Sequence, residues 1–392
     1  MYLITNGHIV TEDTILTGYG LLIEGDIIKK IAKKDDIEIN EDVEIIDAKG
    51  GYVSPGFIDI HADYIEHIAA PRPNTLMDFS LSLRECEKQL ISHGITTMFH
   101  SLSLYKSSEF GNKPIRDPEN VKKFIGLIDE THNNKHLIRH RFHARFEIDN
   151  LEQVENLKSY INDDKVHLVS IMDHTPGQGQ YRNLEIYRET LRGYNDFTDS
   201  EIDEIITTSQ DKDKLTTERI REIADLAREK GIAFASHDDD TIEKLELVQS
   251  FGATISEFPI TLEVAKEAKK RGMFTIAGAP NVLLGGSHSG NLSAAAAIEN
   301  DSIDILCSDY YPAALLHSIF KLYEEKGLKL HEMFKLATLN PAKAVNMDNE
   351  IGSVKENKKA DIIIIEKIDN NFPVITTVFV DGKLISKTNY RI

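Results

Sequence analysis

The chain has 392 residues, 41% of them hydrophobic and 28% charged, with a formal net charge of −19. That length allows a large core, or one large domain with a smaller attachment, and the composition is that of an ordinary globular protein. The negative charge argues against general nucleic-acid binding, which relies on a basic surface, but it leaves room for a small polyanion received by a local basic pocket or a metal ion.

The N-terminus, MYLITNGHIV, lacks the charged and apolar regions of a signal peptide. No apolar run approaches the roughly 20 residues of a membrane helix. Two cysteines, Cys86 and Cys307, cannot build a disulfide framework and suit a reducing compartment. The expectation is a cytoplasmic protein that meets neither membrane nor nucleic acid. Residues 1–52 read as short strands, with Gly25 turning a hairpin inside LLIEGDIIKKI. The last forty residues read the same way, with Asp381-Gly382 between two apolar runs. Neither end has strands enough for its own core, so 1–52 and 350–392 are expected to form one small β-sandwich domain.

Between them, 53–349 alternates between two periods. Strand candidates end near His61, Ser101, Glu147, His174, His237, Phe258, Gly278 and Asp309. In TERIREIADLAREKG, Ile220, Ile223, Ala224 and Ala227 share a helix face, and Gly231 stands where the helix should stop. TLEVAKEAKKRG repeats the pattern between Thr261 as N-cap and Gly272 as stop. Eight strands alternating with helices point to α/β architecture, a (β/α)₈ barrel of roughly 250 residues plus insertions, with an open doubly wound sheet as the alternative. The polar segment 176–216 interrupts the rhythm and reads as a long excursion near the active face.

In such a barrel the C-terminal strand ends share one rim, where barrel enzymes work. Those ends carry His61 and Asp63, Glu147, His174, His237 and Asp309. His61 and Asp63 are two apart, so an extended strand would turn both to one side. Read alone, this is a buried strand whose polar end meets solvent; three imidazoles and three carboxylates on one rim suit one or two divalent ions, with Zn²⁺ the natural match for mixed N and O ligands. Arg72, between Pro71 and Pro73, is a rigidly placed guanidinium suited to phosphate, or else a surface arginine on a turn. In GAPNVLLGGSHSGNLSAAAA, Ser287, His288, Ser289 and Asn291 could donate to phosphate oxygens ahead of an alanine-rich helix, or form a capped loop. Arg182 and Arg116 are weaker anion candidates, and one of Asp238, Asp239 and Asp240 could orient the His237 ring, or the three could be solvated, helix-capping acids.

These motifs together resemble the amidohydrolase superfamily. PGFIDIHAD, the ordered strand-end residues, ATLNPAKAV and KKADIIII carry the likeness. Asp63, where that superfamily usually has a second histidine, with Arg72, MDHTPGQGQ, SHDDD, the glycine-rich loop and SDYYP, resembles its phosphonate-metabolism branch. The resemblance implies that His61 and Asp63 hold one metal and His174 and His237 a second. Glu147 would bridge in place of a carboxylated lysine, and Asp309 would complete the site and take a proton. It implies a phosphorylated ribose phosphonate as substrate, bound by Arg72, Arg182, Ser287, His288 and Asn291, its triphosphate cleaved to release diphosphate. A homo-oligomer, taken as a dimer, is expected. Counting strands puts Glu147 on the third and His174 on the fourth, one earlier than is usual there, so either a short strand lies hidden between 102 and 137 or a later candidate is spurious. The competing readings are a C–N hydrolase with the same metal site and a catalytically silent scaffold.

Overall fold

The computed structural model describes residues 1–38, 42–72, 75–104, 114–194, 196–286, 290–369 and 371–391. Strands Tyr2–Thr5, Tyr19–Glu24, Ile27–Lys33 and Glu44–Asp47 form a four-stranded sheet. His8–Val10, Ile15–Thr17 and Tyr52–Pro55 join Ile362–Ile368, Phe372–Val380 and Lys383–Lys387 in a six-stranded one. Ile4, Ile9, Leu21, Ile23, Val53, Ile362, Ile364 and Phe379 pack into one apolar core shared by the two sheets. Both expected hairpins are present. At the second, Asp381 (φ 48°) and Gly382 (φ 69°) both take the left-handed backbone that a two-residue turn requires. A Cβ at Gly382 would sit 2.0 Å from the Gly25 carbonyl oxygen, so the two hairpin tips meet through glycines.

The barrel strands are β1 Phe57–Ala62, β2 Ile95–Leu104, β3 Arg139–Glu147, β4 Leu168–Met172, β5 Ala233–His237, β6 Ile255–Glu257, β7 Phe274–Gly278 and β8 Ile305–Cys307. Each pairs in parallel with the next. The ring closes through a parallel bridge between Ala62 and Asp309, with Asp63 N donating to Asp309 O at 2.9 Å and Asp309 N to His61 O at 3.2 Å. All eight strand candidates are therefore strands. No further strand occurs among the described residues between Leu104 and Arg139, and the direct count holds: Glu147 ends the third strand and His174 follows the fourth.

Side-chain alternation divides each strand. On β3, Phe142, Ala144 and Phe146 join the core between strands and helices, while His143 turns inward, its ring against that of His61. Ile58, Ile60, Phe99, Leu168, Ala235, Ile255, Ile276 and Ile305 fill the barrel's interior as packed side chains rather than a pore. Helix Thr217–Glu229 is capped by Thr216, and Gly231 (φ 69°) follows its end. Leu262–Lys270 begins at Thr261 and is followed by Gly272 (φ 80°). The excursion between β4 and β5 contains two helices, Leu184–Tyr194 and Asp199–Gln210, the second opened by a Thr198–Glu201 capping box. They carry their own small core of Tyr187, Leu191, Ile202 and Ile206, which the many intervening polar residues hid from the sequence.

Arg139, at the start of β3, joins barrel to sandwich. It forms ion pairs with Asp361 and Asp381, and the Asp361 carboxylate also accepts from Asp381 N at 2.9 Å. The Asp361 side chain is only 4% exposed, so removing the guanidinium strands a buried charge. Arg139→Met should cost about 3–5 kcal/mol, read as a lower urea midpoint, whereas an unchanged midpoint would show that the joint contributes nothing.

Candidate metal centre

The strand-end residues do converge on one rim. His61 is the next-to-last residue of β1, Glu147 and His237 are the last of β3 and β5, and His174 and Asp309 lie two residues beyond β4 and β8. Asp63 arrives by a different route from the one strand alternation suggests. Its backbone (φ −97°, ψ 16°) has left the strand and precedes helix Tyr64–Ala69. What brings it to Asp309 is the backbone hydrogen bond that closes the barrel.

At this rim, two groups of side chains among the described residues stand close enough to share an ion: His61, His237 and Glu257, and His174, His237 and Asp238. Hydrogen bonding distinguishes their members. Ala62 N donates to Ser101 Oγ at 3.0 Å, and Ser101 Oγ lies 2.9 Å from His143 Nδ1. His143 Nε2 bonds Ser170 Oγ, which donates to Glu257 Oε2 at 2.6 Å. His61 Nδ1 stands 2.9 Å from Glu257 Oε1. A carboxylate only accepts, so the direction of the whole chain is set. Ser170 gives its proton to Glu257 and accepts from His143, which in turn accepts from Ser101. His61 then carries its proton on Nδ1 and presents the Nε2 lone pair to the centre. Glu257 is therefore the group that orients a ligand rather than a ligand itself. Burial, with the charge of Arg145, pushes His61 well below the ordinary imidazole range, and burial pushes His143 down to about 3, so both rings are neutral.

On the other side, His174 Nδ1 bonds Glu147 Oε1, leaving Nε2 facing Asp238 Oδ2 at 3.7 Å. His237 Nδ1 lies 3.1 Å from Asp238 Oδ2, yet both atoms are buried without a properly directed hydrogen bond. Two adjacent orphaned buried atoms, one a nitrogen and one a carboxylate oxygen, are what a divalent cation would satisfy. Burial opposes charge on Asp238, but His237, His174 and Lys244 outweigh it and hold the carboxyl at about 2. Asp309 is pushed the other way, up to about 7, by burial and by Asp63. The donor set of imidazoles and carboxylates fits Zn²⁺ or a similar ion, which His61, His174, His237 and the surrounding acids could hold.

The centre opens into a pocket of about 180 Å³ with Asp309, Tyr310, Asn291, Gln180 and Arg145 among its polar lining and Phe258, Ile260, Pro280 and Leu284 among its apolar lining. Asn291 is thus in the pocket. Ser287, His288 and Ser289 lie outside the described residues, as does Pro73. Arg72 and Arg182 are exposed and do not line this pocket. Arg116 is held by Glu66 through two hydrogen bonds of 2.6 and 2.8 Å and approaches Asp63 at 3.7 Å. Helix Ala294–Glu299 is a poor anion site, because its first N–H groups are already bonded: Ala294 N donates to Asn281 and Ala296 N to Ser293. Of Asp238–Asp240, Asp238 joins the centre, Asp239 accepts from Ser236 and Ser256, and Asp240 accepts from Gly179 N. Glu257, His143 and Arg145 escaped the sequence reading. Period two did offer a signal, since His143, Arg145 and Glu147 share one side of β3.

A separate cluster of Glu87, His136 and His140 lies on the helix side of β3. There Glu87 Oε2 meets His136 Nδ1 at 3.0 Å and His140 Nε2 at 3.1 Å, and accepts from Leu137 N at 2.9 Å.

Glu257→Gln would keep the shape but cannot accept from both His61 and Ser170. Its Zn²⁺ affinity should fall about 10–100-fold, measured by competition with a chromophoric chelator; wild-type affinity would remove Glu257 from the ligand-orienting role.

Comparison with known proteins agrees with this geometry. The amidohydrolase family model matches residues 52–385, and a model of the NagA composite domain matches residues 1–53. Alpha-D-ribose 1-methylphosphonate 5-triphosphate diphosphatase of Escherichia coli is 32% identical over 376 residues, 95% of this chain and 97% of its own length. Among solved structures, molinate hydrolase superposes with a TM-score of 0.69 at 15% identity, covering 98% of this chain and 94% of its own. N-acetylglucosamine-6-phosphate deacetylase from Pasteurella multocida gives 0.63 at 15% identity, with 98% and 100% covered. These two share the fold. With the family model spanning both the barrel and the strands that return to the sandwich, the chain belongs to the amidohydrolase family.

Proposed function

We propose that this chain is a divalent-metal-dependent diphosphatase that acts on the triphosphate of α-D-ribose 1-methylphosphonate 5-triphosphate. The observation that carries the reading is its near full-length similarity to the Escherichia coli enzyme of that name. Asp63 in place of a second strand-end histidine, and Glu147 as the acid at the end of β3, support it. They make the centre rich in carboxylates, a setting for hard cations.

When bound, a divalent ion would supply acidified water and a Lewis acid for the phosphoryl oxygens. The chain's residues would do the rest. His61 presents Nε2 in a tautomer fixed by Glu257, and His174 is oriented by Glu147. Asp309, at the pocket wall beside the candidate ligands, would accept the proton of the attacking water. A bond forms from the water oxygen to phosphorus, the phosphoanhydride P–O bond breaks opposite it, and diphosphate leaves. The ribose 1-methylphosphonate retains one 5-phosphate.

Chelation should abolish turnover and added Zn²⁺ should restore it; full activity in a sample with no measurable metal would end the mechanism. His174→Ala and Asp309→Asn should each reduce kcat to background while leaving the fold intact by circular dichroism.

The second reading, C–N hydrolysis, is favoured by the deacetylase among the structural neighbours. Product analysis separates the two. Diphosphate release from the triphosphate, with no cleavage of N-acetylglucosamine 6-phosphate or of cyclic amides, is expected, and the reverse pattern would transfer the assignment.

A further inference from the structure

Arg145 is the one arginine or lysine among the described residues lining the pocket. It sits on β3, two residues before Glu147, and so projects from the same side of the strand into the barrel mouth. Its Nε donates towards Met172 Sδ at 3.3 Å, and Nη2 stands 3.5 Å from His237 Nε2. The guanidinium is therefore held at the level of the candidate ligands, deeper than the exposed Arg72 and Arg182. At that level the guanidinium lies within reach of an anion bound at the centre.

We propose that Arg145 is the phosphate-gripping residue of this site, its guanidinium bonding non-bridging oxygens of the phosphoryl group under attack. This rests on the phosphoanhydride reading above and adds its anion ligand. Three features support it. The anion would lie between guanidinium and metal and so screen their repulsion. A planar fork can hold two phosphoryl oxygens at once, which a lysine cannot. The negative charge on those oxygens would be met at the reacting group, even though the protein as a whole carries −19.

The test uses metal-loaded wild type, Arg145→Gln and Arg145→Lys, with metal content and melting temperature measured for each. Inorganic pyrophosphate binding is followed by calorimetry at buffered free Zn²⁺, and the kcat and KM of triphosphate hydrolysis are determined separately. Arg145→Gln should retain its metal and fold, weaken pyrophosphate binding at least about tenfold, and lower kcat/KM by about 10²–10³-fold. Arg145→Lys should recover part of each loss. Wild-type pyrophosphate binding by Arg145→Gln would overturn the proposal, and so would losses traced to missing metal or a lower melting temperature. If wild type hydrolyses no triphosphate but Arg145→Gln alone loses pyrophosphate, the diphosphatase reading fails while the anion-binding role of Arg145 stands.

Discussion

The closure of the barrel and the assembly of the centre are one physical event. Ala62 and Asp309 form the bridge that joins first strand to last, and the hydrogen bonds on either side of it run through His61 O, Asp63 N and the two backbone groups of Asp309. Beneath them the buried Asp59 carboxylate accepts from Ser308 N at 3.2 and 3.3 Å and from His61 N at 3.3 Å, pinning both strands from below. Burial raises that carboxyl to about 6, so its bonds are held against a real desolvation cost. Three of the rim's polar side chains hang from this single seam. Were the ring left open by one register step, Asp309 would face away from His61 and Asp63, and the acidic half of the centre would not exist.

The centre also depends on backbone that few residues tolerate. Asp238 (φ 52°), Phe258 (φ 53°) and Asp309 (φ 59°) each take the left-handed conformation just beyond a strand end. For a non-glycine residue this costs on the order of 1–2 kcal/mol, and for a bulky one it is rare. The strain turns each side chain back over the barrel mouth. Phe258 sets its ring perpendicular to His61 at 4.9 Å and tilted against His237 at 5.3 Å, walling both imidazoles into an apolar side. Rigid rings, an ordered chain of hydroxyls and imidazoles, and carboxylates short of donors form a site organised in advance for a cation.

How much of this was legible in the sequence depended on the range of the cause. Helix limits at Thr216, Gly231, Thr261 and Gly272, and both hairpins, follow from local backbone chemistry, and each stands where local rules put it. The barrel followed from alternation, and the positions of His61, His174, His237 and Asp309 at one rim from their places at strand ends. What did not show was whatever depends on neighbours distant in sequence. Glu257 looks like any strand-end acid until His61, 196 positions away, is seen bonded to it. Arg145 sits in RHRFHARFE, where its inward direction is recoverable only once Glu147 is known to face the centre. Arg72 shows the same limit, because a proline-flanked arginine suggests rigidity while its sequence says nothing about which pocket it lines.

The sandwich has a bearing on how the protein is made. Tyr52–Pro55 finds its neighbour in Ile362–Ile365, so one strand waits beside the ribosome exit while some three hundred residues follow. At about 5–20 residues per second that is roughly 15–60 s, far longer than helices and barrel strands need to collapse. The barrel must therefore assemble with one flank uncovered, and the carboxylates that engage Arg139 are among the last groups to arrive. Any chain released early would keep most of a catalytic barrel but expose the apolar edge of Tyr52–Pro55, the surface by which a quality-control protease or chaperone would recognise it as unfinished.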